Sequence, residues 1–498
     1  MVYFTDFFKI EEEILDTYGA FNISLINDLP LFIDPFLLFG SKKKEYNKLH
    51  KDILVYLTFL KSKSQNGHAT KEEIESWYTF SEIKQNWLGF SISGNDGLGL
   101  GPVFGNAMSA NMHLVFDDLN KETITSSSHI EKVGLFQLGI GKDNISDFTC
   151  NLIKYYLLKY TENFAKKYLN DSQVEEINVG KVYFDYNLEK WMPKNFILPY
   201  YNNDYVILTP KDLLTKDENW INSNDLRGDF HKICSSISNT QLRGEINRYF
   251  RSKLPAPVFI GKGPKKKLKK PTRKQTSKAI NETIQHFPKI LNYYIKLKEE
   301  NKVGAKNISQ EMVNEIETLF KGNVSFLIDL IEQTKFYDCK PTNSFKEAFK
   351  RVEFLKDVIE NKDGYRAFYD NKGFPIKKEA DLQIMYRLTW FNSSFDVNRE
   401  VNNGRGPVDV IISKGSKDKS LVEFKLASNS KLKMNLENQV GVYEKASDTE
   451  QSIKVILYFD QSELLKIIEI IKDLKLENEK SIVLIDASKN KPSASNVK

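Results

Sequence analysis

The sequence predicts a multidomain α/β protein with a mixed α/β domain at residues 1–250, a helical module at 280–372 and a C-terminal α/β core at 373–487. Three observations carry that prediction. At roughly 100–200 residues per domain, 498 residues call for several domains. A content of 41% hydrophobic and 12% aromatic residues is enough for several cores and excludes a disordered, collagen-like or coiled-coil chain. Apolar periodicity also changes along the chain, with strand and helix patterns mixed at both ends and helix patterns alone in the middle.

In the first domain, residues 45–61 and 151–168 have helical spacing, while 181–186 and 205–208 alternate or run apolar like short strands. Pro210 and Asp212 then turn the chain into Leu213 and Leu214. Gly97, Gly99, Gly101 and Gly105 form a glycine-rich segment without dinucleotide or P-loop spacing, so a tight turn needing positive φ is the leading reading and a phosphate loop the other. From Lys262 to Lys278 nine of seventeen residues are basic and none is acidic, which reads as a linker at 251–279. In the helical module, 280–300, 309–321, 324–334 and 344–360 are helical, and 488–498 reads as a disordered tail.

The C-terminal core follows as a helix at 378–391, an extended segment at 395–401, strands at 407–413 and 421–426, a helix at 435–446, a strand at 453–459, a helix at 463–474 and a strand at 481–485. Its middle is a meander and its end has helical crossovers, which parallel strands require.

Composition narrows the function. Cys150, Cys234 and Cys339 are far apart and form no CxxC, so neither a disulfide framework nor a cysteine zinc site is expected. The start lacks a basic segment followed by a long apolar one, and no apolar run reaches ~18 residues, so the expectation is a cytoplasmic protein without membrane partners. The 72 Lys+Arg against 66 Asp+Glu give only +6, but the basic run concentrates charge. Lys265, Lys266, Lys267, Lys269, Lys270 and Arg273 suit a polyanion through counterion release, and a plain solvated tether is the competing reading. Arg243, Arg248 and Arg251 precede the run on an expected helix at 241–253. His113, His129 and His231 lie scattered and read as packed or surface histidines.

Asp409, Glu423 and Lys425 sit within apolar strands, where charge needs a reason. Glu423 and Lys425 share one face of a strand, and Asp409 on the neighbouring hairpin strand can reach that face. Two carboxylates make an oxygen site for Mg²⁺, with Mn²⁺ as substitute, and the lysine can orient or deprotonate a water. An ordinary cross-strand salt bridge is the alternative. Removing any of the three charges is expected to spare the fold, on the premise that they face a solvated site.

Gly406-Pro407-Val408-Asp409 followed by Val422-Glu423-Phe424-Lys425 resembles the PD-(D/E)XK nuclease signature, and the element order resembles that superfamily's restriction-endonuclease-like core. Gln439 and Tyr443, four apart on the next helix, resemble the accessory motif of the RecB-like and Cas4-like branch. The resemblance spans about residues 378–486 and implies no iron-sulfur cluster, since four clustered cysteines are lacking. It implies a metal-dependent nuclease acting on nucleic acid, with DNA the expected partner. Asp409, Glu423 and the Phe424 carbonyl would hold Mg²⁺, Glu379 on the first helix is a further acidic ligand candidate with Glu400 its rival, and Lys425 would position water. Gln439 and Tyr443 would support the site and the substrate strand. Apart from the resemblance, Arg405 in its Gly-Arg-Gly turn reads as a phosphate contact beside the site, with a plain surface turn residue as the competing reading. By analogy with bacterial effectors the role would be restriction or anti-phage defence, with a sensing or targeting N-terminal domain and a homo-oligomer or a partner defence protein as further partners. The alternative is a non-catalytic nucleic-acid or protein-interaction protein that keeps the fold. A third reading makes the glycine segment a regulatory nucleotide site.

Overall fold

The computed structural model describes residues 3–25, 28–64, 70–89, 99–136, 140–216, 218–256, 258–260, 267–319, 343–362, 364–369, 375, 386, 389–390, 396–398, 410–414, 418–437, 452–477 and 479–489. It is mixed α/β with several small sheets. Among the described residues no helix is long and apolar enough to cross a membrane.

The N-terminal part opens with helices Phe4–Phe8 (α1) and Glu12–Tyr18 (α2), strand Phe32–Ile33 (β1), and helices Phe36–Phe39 (α3), Lys44–Ser64 (α4), Lys71–Trp77 (α5) and Pro102–Val115 (α6). Helices Lys132–Phe136 (α7), Lys142–Leu152 (α8) and Lys154–Tyr168 (α9) follow, so the single helix expected at 151–168 is interrupted at Ile153. Strands Val174–Asp185 (β2) and Lys190–Tyr201 (β3) form a long antiparallel hairpin extended by Asp204–Tyr205 (β4). The strand pattern in the sequence covers only the 181–186 portion of this hairpin. Lys181, at φ 47°, lies in a register shift between Val179 and Tyr183, and this bulge breaks the two-residue alternation that marks a strand. Pro193 and Pro199 argue against β3 from sequence. Conversely, Val206, Ile207 and Leu208 are buried but lie outside any strand. The amide of Ile207 donates to the Gln85 carbonyl at 2.8 Å and that of Leu208 to Thr161 Oγ1 at 2.9 Å.

Strand Leu214–Thr215 (β5) pairs with β1, then helices Ser223–Gly228 (α10), Phe230–Ser236 (α11) and Thr240–Lys253 (α12) lead to the basic run. That run is not a featureless linker. Val258–Ile260 (β6) pairs antiparallel with Lys267–Lys269 (β7), and helix Arg273–His286 (α13) starts inside it. Thr272 caps α13 through a reciprocal box with Gln275, a turn-and-helix signal that the charge density obscured. Helices Ile290–Glu300 (α14) and Lys302–Leu319 (α15) complete this part.

The helical module expected at 280–372 is divided by packing. One apolar cluster runs from Tyr3 to Ile316 and takes in Ile280, Ile295 and Val313, whereas helix Ser344–Asn361 (α16) contributes Val352, Leu355 and Ile359 to a different cluster with the C-terminal strands. The expected helix at 324–334, Gly97 of the glycine-rich segment and the tail 490–498 lie outside the described residues.

Within the N-terminal core, the imidazole of His129 lies 2.8 Å from Glu299 Oε1, and that of His50 lies 2.8 Å from Ser127 Oγ. Burial, reinforced by His129, pushes His50 down to about 3. The folded chain thus holds His50 neutral, while the unfolded chain protonates it below about 6.5, so its contribution is lost as pH falls between these values. A His50→Gln variant is expected to lose stability less steeply on acidification, by up to about 1.4 kcal/mol per pH unit. Urea midpoints from pH 7 to 4 check this, and parallel curves for the two proteins would refute it.

The C-terminal sheet comprises Asp396–Asn398 (β8), Val410–Lys414 (β9), Asp418–Leu426 (β10), Ser452–Tyr458 (β11) and Ile482–Asp486 (β12), in the order β12-β11-β10-β9-β8. The β8, β9 and β10 strands are antiparallel, and β10, β11 and β12 are parallel. One face carries Val410, Val422, Phe424, Val455 and Val483 against α16. The other packs Ile456 against Leu432 and Leu436 of the helical stretch 432–437 and against Ile467 and Ile470 of helix Gln461–Asp473 (α17).

Candidate functional site

β10 is the middle strand of the five, and it is buried from Ser420 to Leu426. Its apolar residues explain half of that burial, since Val422 and Phe424 point into the α16 side. Alternation sends Glu423 and Lys425 to the opposite face, where they are 3% and 5% exposed. The expectation that they share a face is met by the strand geometry. The expectation that they front a solvated site is corrected: both side chains are buried, so removing either one touches the packing as well as the charge.

A third charge, missed in the sequence, joins them. Lys454 of β11 is 5% exposed and stands in parallel register with Glu423, as Ile456 does with Lys425. Aligned residues on neighbouring strands lie on one face, so the buried cluster reads Glu423, Lys425, Lys454, one carboxylate and two ammonium groups. The available signal was a lysine inside the apolar run Ile453-Lys454-Val455, the same anomaly that drew attention to Glu423. What sequence lacks is the parallel register that aligns the two.

On the other side, β9 pairs Ile411 with Leu421 and Val410 with Val422. Asp409 directly precedes Val410 in sequence and lies outside the described residues, as do Glu379, Glu400, Arg405, Gln439 and Tyr443. Phe424 packs its ring 4.9 Å from that of Tyr386, on the face away from Glu423. Glu423 supplies hard oxygen donors of the kind Mg²⁺ takes, but one carboxylate does not make a site. Among the described residues no group of three or more His, Cys, Asp or Glu side chains could hold a metal ion.

Helix α16 is fastened to the strand from the far side. The backbone amide of Ser344 donates to Asp418 at 2.9 Å, and the hydroxyls of Ser344 and Ser420 lie 2.6 Å apart. Arg351 pairs with Glu347 at 2.8 Å and stacks over Trp390 at 4.2 Å, all under the sheet. On the Glu423 side, Lys466 of α17 donates to the Ala427 carbonyl at 2.6 Å, closing the end of β10.

Of the basic candidates, Lys270 and Arg273 are exposed, Lys267 and Lys269 belong to β7, and Lys265 and Lys266 lie outside the described residues. Helix α12 packs beside α13, and Arg248, Arg251, Lys253, Lys274 and Lys278 are charged groups on the pair. Glu282 offsets part of that charge, 3.5 Å from Lys253 and 3.9 Å from Lys278.

No curated protein and no solved structure matches the chain. Residues 9–222 match a family described as Domain of unknown function (DUF8370), and residues 344–461, from the start of α16 to just past β11, match another described as Domain of unknown function (DUF8371).

Proposed function

We propose that the chain is a metal-dependent nuclease that hydrolyses phosphodiester bonds of nucleic acid, DNA being the favoured substrate, in a defence or restriction role. The observation that carries this reading is the buried Glu423 and Lys425 on one face of the central strand, within a sheet whose antiparallel hairpin leads into parallel strands. Burying these charges carries a desolvation cost that an apolar strand would avoid, and chemistry is one reason to keep them. In this reading Glu423, the Phe424 carbonyl and Asp409 hold Mg²⁺, with Glu379 as a further ligand. Bound there, the ion would stabilise charge on the phosphate and on the leaving oxygen. Lys425 orients the attacking water, Gln439 and Tyr443 position the strand, and Arg405 contacts phosphate. The test is the purified chain with linear, circular and single-stranded substrates in Mg²⁺, Mn²⁺ or EDTA. Metal-dependent cleavage supports the reading, and inertness on all of them refutes it.

A second reading, a non-catalytic nucleic-acid or protein-interaction protein that retains the fold, is favoured by one observation. Lys454 aligned with Glu423 is what a purely structural pair would provide. If the chain binds nucleic acid, catalytically or not, the basic surface would hold the polyanion. Changing Lys265, Lys266, Lys267, Lys269 and Lys270 together to Gln is expected to weaken DNA binding alike for all sequences and to flatten log affinity against log salt by about 0.9 for each phosphate no longer neutralised. The β6–β7 pairing is made by backbone groups and should persist. An unchanged slope would show that these lysines make no phosphate contact and serve only the local structure of the run.

A further inference from the structure

An open cavity of about 270 Å³ lies between the end of α6, the turn that joins α11 to α12, and the junction of α13 with α14. In its wall Ile237, Ile246 and Ile290 are buried, Leu242, Phe287 and Tyr293 are half-buried, and Leu114 is 43% exposed. Apolar side chains around an open hollow stay in contact with water, and a flat apolar molecule entering it would release that water. The space far exceeds the ~10–15 Å³ that one water needs, and falls just short of the roughly 300–1,000 Å³ of pockets for drug-sized ligands. A single ring system suits that size, whereas a partner helix of ~10–12 Å diameter does not.

Stacking and charge say which ring. His286 and Phe287 line the cavity, and the His286 ring lies parallel to that of Tyr249 at 4.2 Å and edge-on to that of Phe287 at 4.7 Å. Lys253 Nζ stands 5.0 Å over the Tyr249 ring. An unbroken path therefore runs from the cavity through His286 and Tyr249 to the basic surface of α12 and α13, where Arg248, Arg251, Lys274 and Lys278 are exposed. Arg243 is not part of that surface. It donates to the carbonyls of Ser235 and Ile237 at 3.4 Å, which holds the turn that forms one wall. At the rim Lys289 and His113 are exposed beside an acid, Asp117. Asp117 would repel an aromatic carboxylate. It can instead accept from the ring N–H or amino group of a neutral nucleobase, whose charge sits outside on its phosphates.

We propose that the cavity takes one unpaired base of a single-stranded nucleic acid whose phosphates lie along α12 and α13, which rests on the proposed binding of nucleic acid and not on its hydrolysis. Aromatic faces beside a cationic track are what a single strand needs, since every base has a face to stack and every linkage a charge. A duplex keeps its bases paired inside and offers this surface only phosphates.

Fluorescence anisotropy of the full chain in EDTA, where metal-dependent cleavage is off, tests this at one salt concentration. The probes are a short labelled single strand, the same strand made abasic throughout, the matching duplex, and AMP as competitor. The intact strand is expected to bind at least about tenfold more tightly than the abasic strand, the duplex or AMP. The double variant His286→Ala/Phe287→Leu removes two ring faces and keeps apolar bulk at 287. It should weaken the intact strand at least about tenfold and leave the abasic strand unchanged. If that variant does not fold, Tyr293→Leu carries the same expectation. Equal affinity for intact and abasic strands, a duplex or AMP bound as tightly as the strand, or undiminished binding in the folded variant would overturn the proposal. Cleavage is not read in any arm, so a chain that binds as expected yet hydrolyses nothing would refute the nuclease reading alone.

Discussion

Replacing Glu423 with Gln is expected to cut Mg²⁺-dependent hydrolysis at least about a thousandfold, equivalent to roughly 4 kcal/mol of transition-state stabilisation, while the protein remains folded. Gln keeps the volume of the buried side chain and removes only its charge. Alanine is the weaker probe, because at 3% exposure it would add a cavity beside Lys425 and Lys454 to the loss of charge. Either substitution removes one member of a buried charge cluster, at a cost of about 3–5 kcal/mol, so the melting temperature of Glu423→Gln is read beside its hydrolysis to separate lost chemistry from lost fold. Lys425→Met should be equally inactive. Lys454→Met separates the two readings of the cluster. In a nuclease it lowers the melting temperature yet keeps measurable hydrolysis. In a structural pair, Glu423→Gln and Lys454→Met destabilise alike and the wild type cleaves nothing. Full hydrolysis by Glu423→Gln would end the metal-ligand assignment.

Gly99→Ala is expected to destabilise the N-terminal part by about 2–5 kcal/mol, a large share of the ~5–15 kcal/mol typical of a folded domain. Gly99 has φ +60°, and a Cβ there would lie 2.5 Å from the Glu82 amide nitrogen and 2.6 Å from the Phe80 carbonyl oxygen. Both obstacles are backbone, and Phe80 is fixed by paired hydrogen bonds with Leu100 at 2.8 and 3.1 Å, so neither can swing aside. Gly101→Ser is the matched control. It has an ordinary φ, open space around its Cβ and a position capping α6, so it should be neutral or slightly stabilising. Tryptophan fluorescence during urea unfolding reads the comparison, since Trp77, Trp87, Trp191 and Trp220 all lie in this part. Equal midpoints for the two variants would contradict the steric argument. This geometry gives the glycine at 99 a structural reason that requires no phosphate.

The elements legible in the sequence are those whose pattern is local. Helix α4 and helix α16 show their apolar stripes within a few turns, and β10 shows its run of apolar residues with two charges spaced by two. What escaped depended on partners distant in sequence. The β2–β3 hairpin hides behind two prolines and a bulge, and α13 behind the charge of its own first turn. For the candidate site, the pairing of Glu423 with Lys425 on one face followed from period two alone. Their depth of burial did not, because it is set by α17 and the 432–437 stretch covering that face from later in the chain. Lys454 became relevant only through the parallel register of β11.

The apolar cluster that reaches from Tyr3 to Ile316 also constrains how the protein is made. As the chain leaves the ribosome, strand β5 must wait for α15, whose Ser309 hydroxyl bonds to the Leu214 carbonyl and whose Glu317 lies 2.5 Å from Lys211. Translation at roughly 5–20 residues per second makes that wait several seconds long. Throughout it, the apolar surface that α13, α14 and α15 will cover stays open on the nascent chain. Chaperone occupancy during synthesis should therefore persist past residue 250 and fall only once α15 has emerged, and expression fragments ending near 250 should aggregate where those ending after 319 stay dispersed.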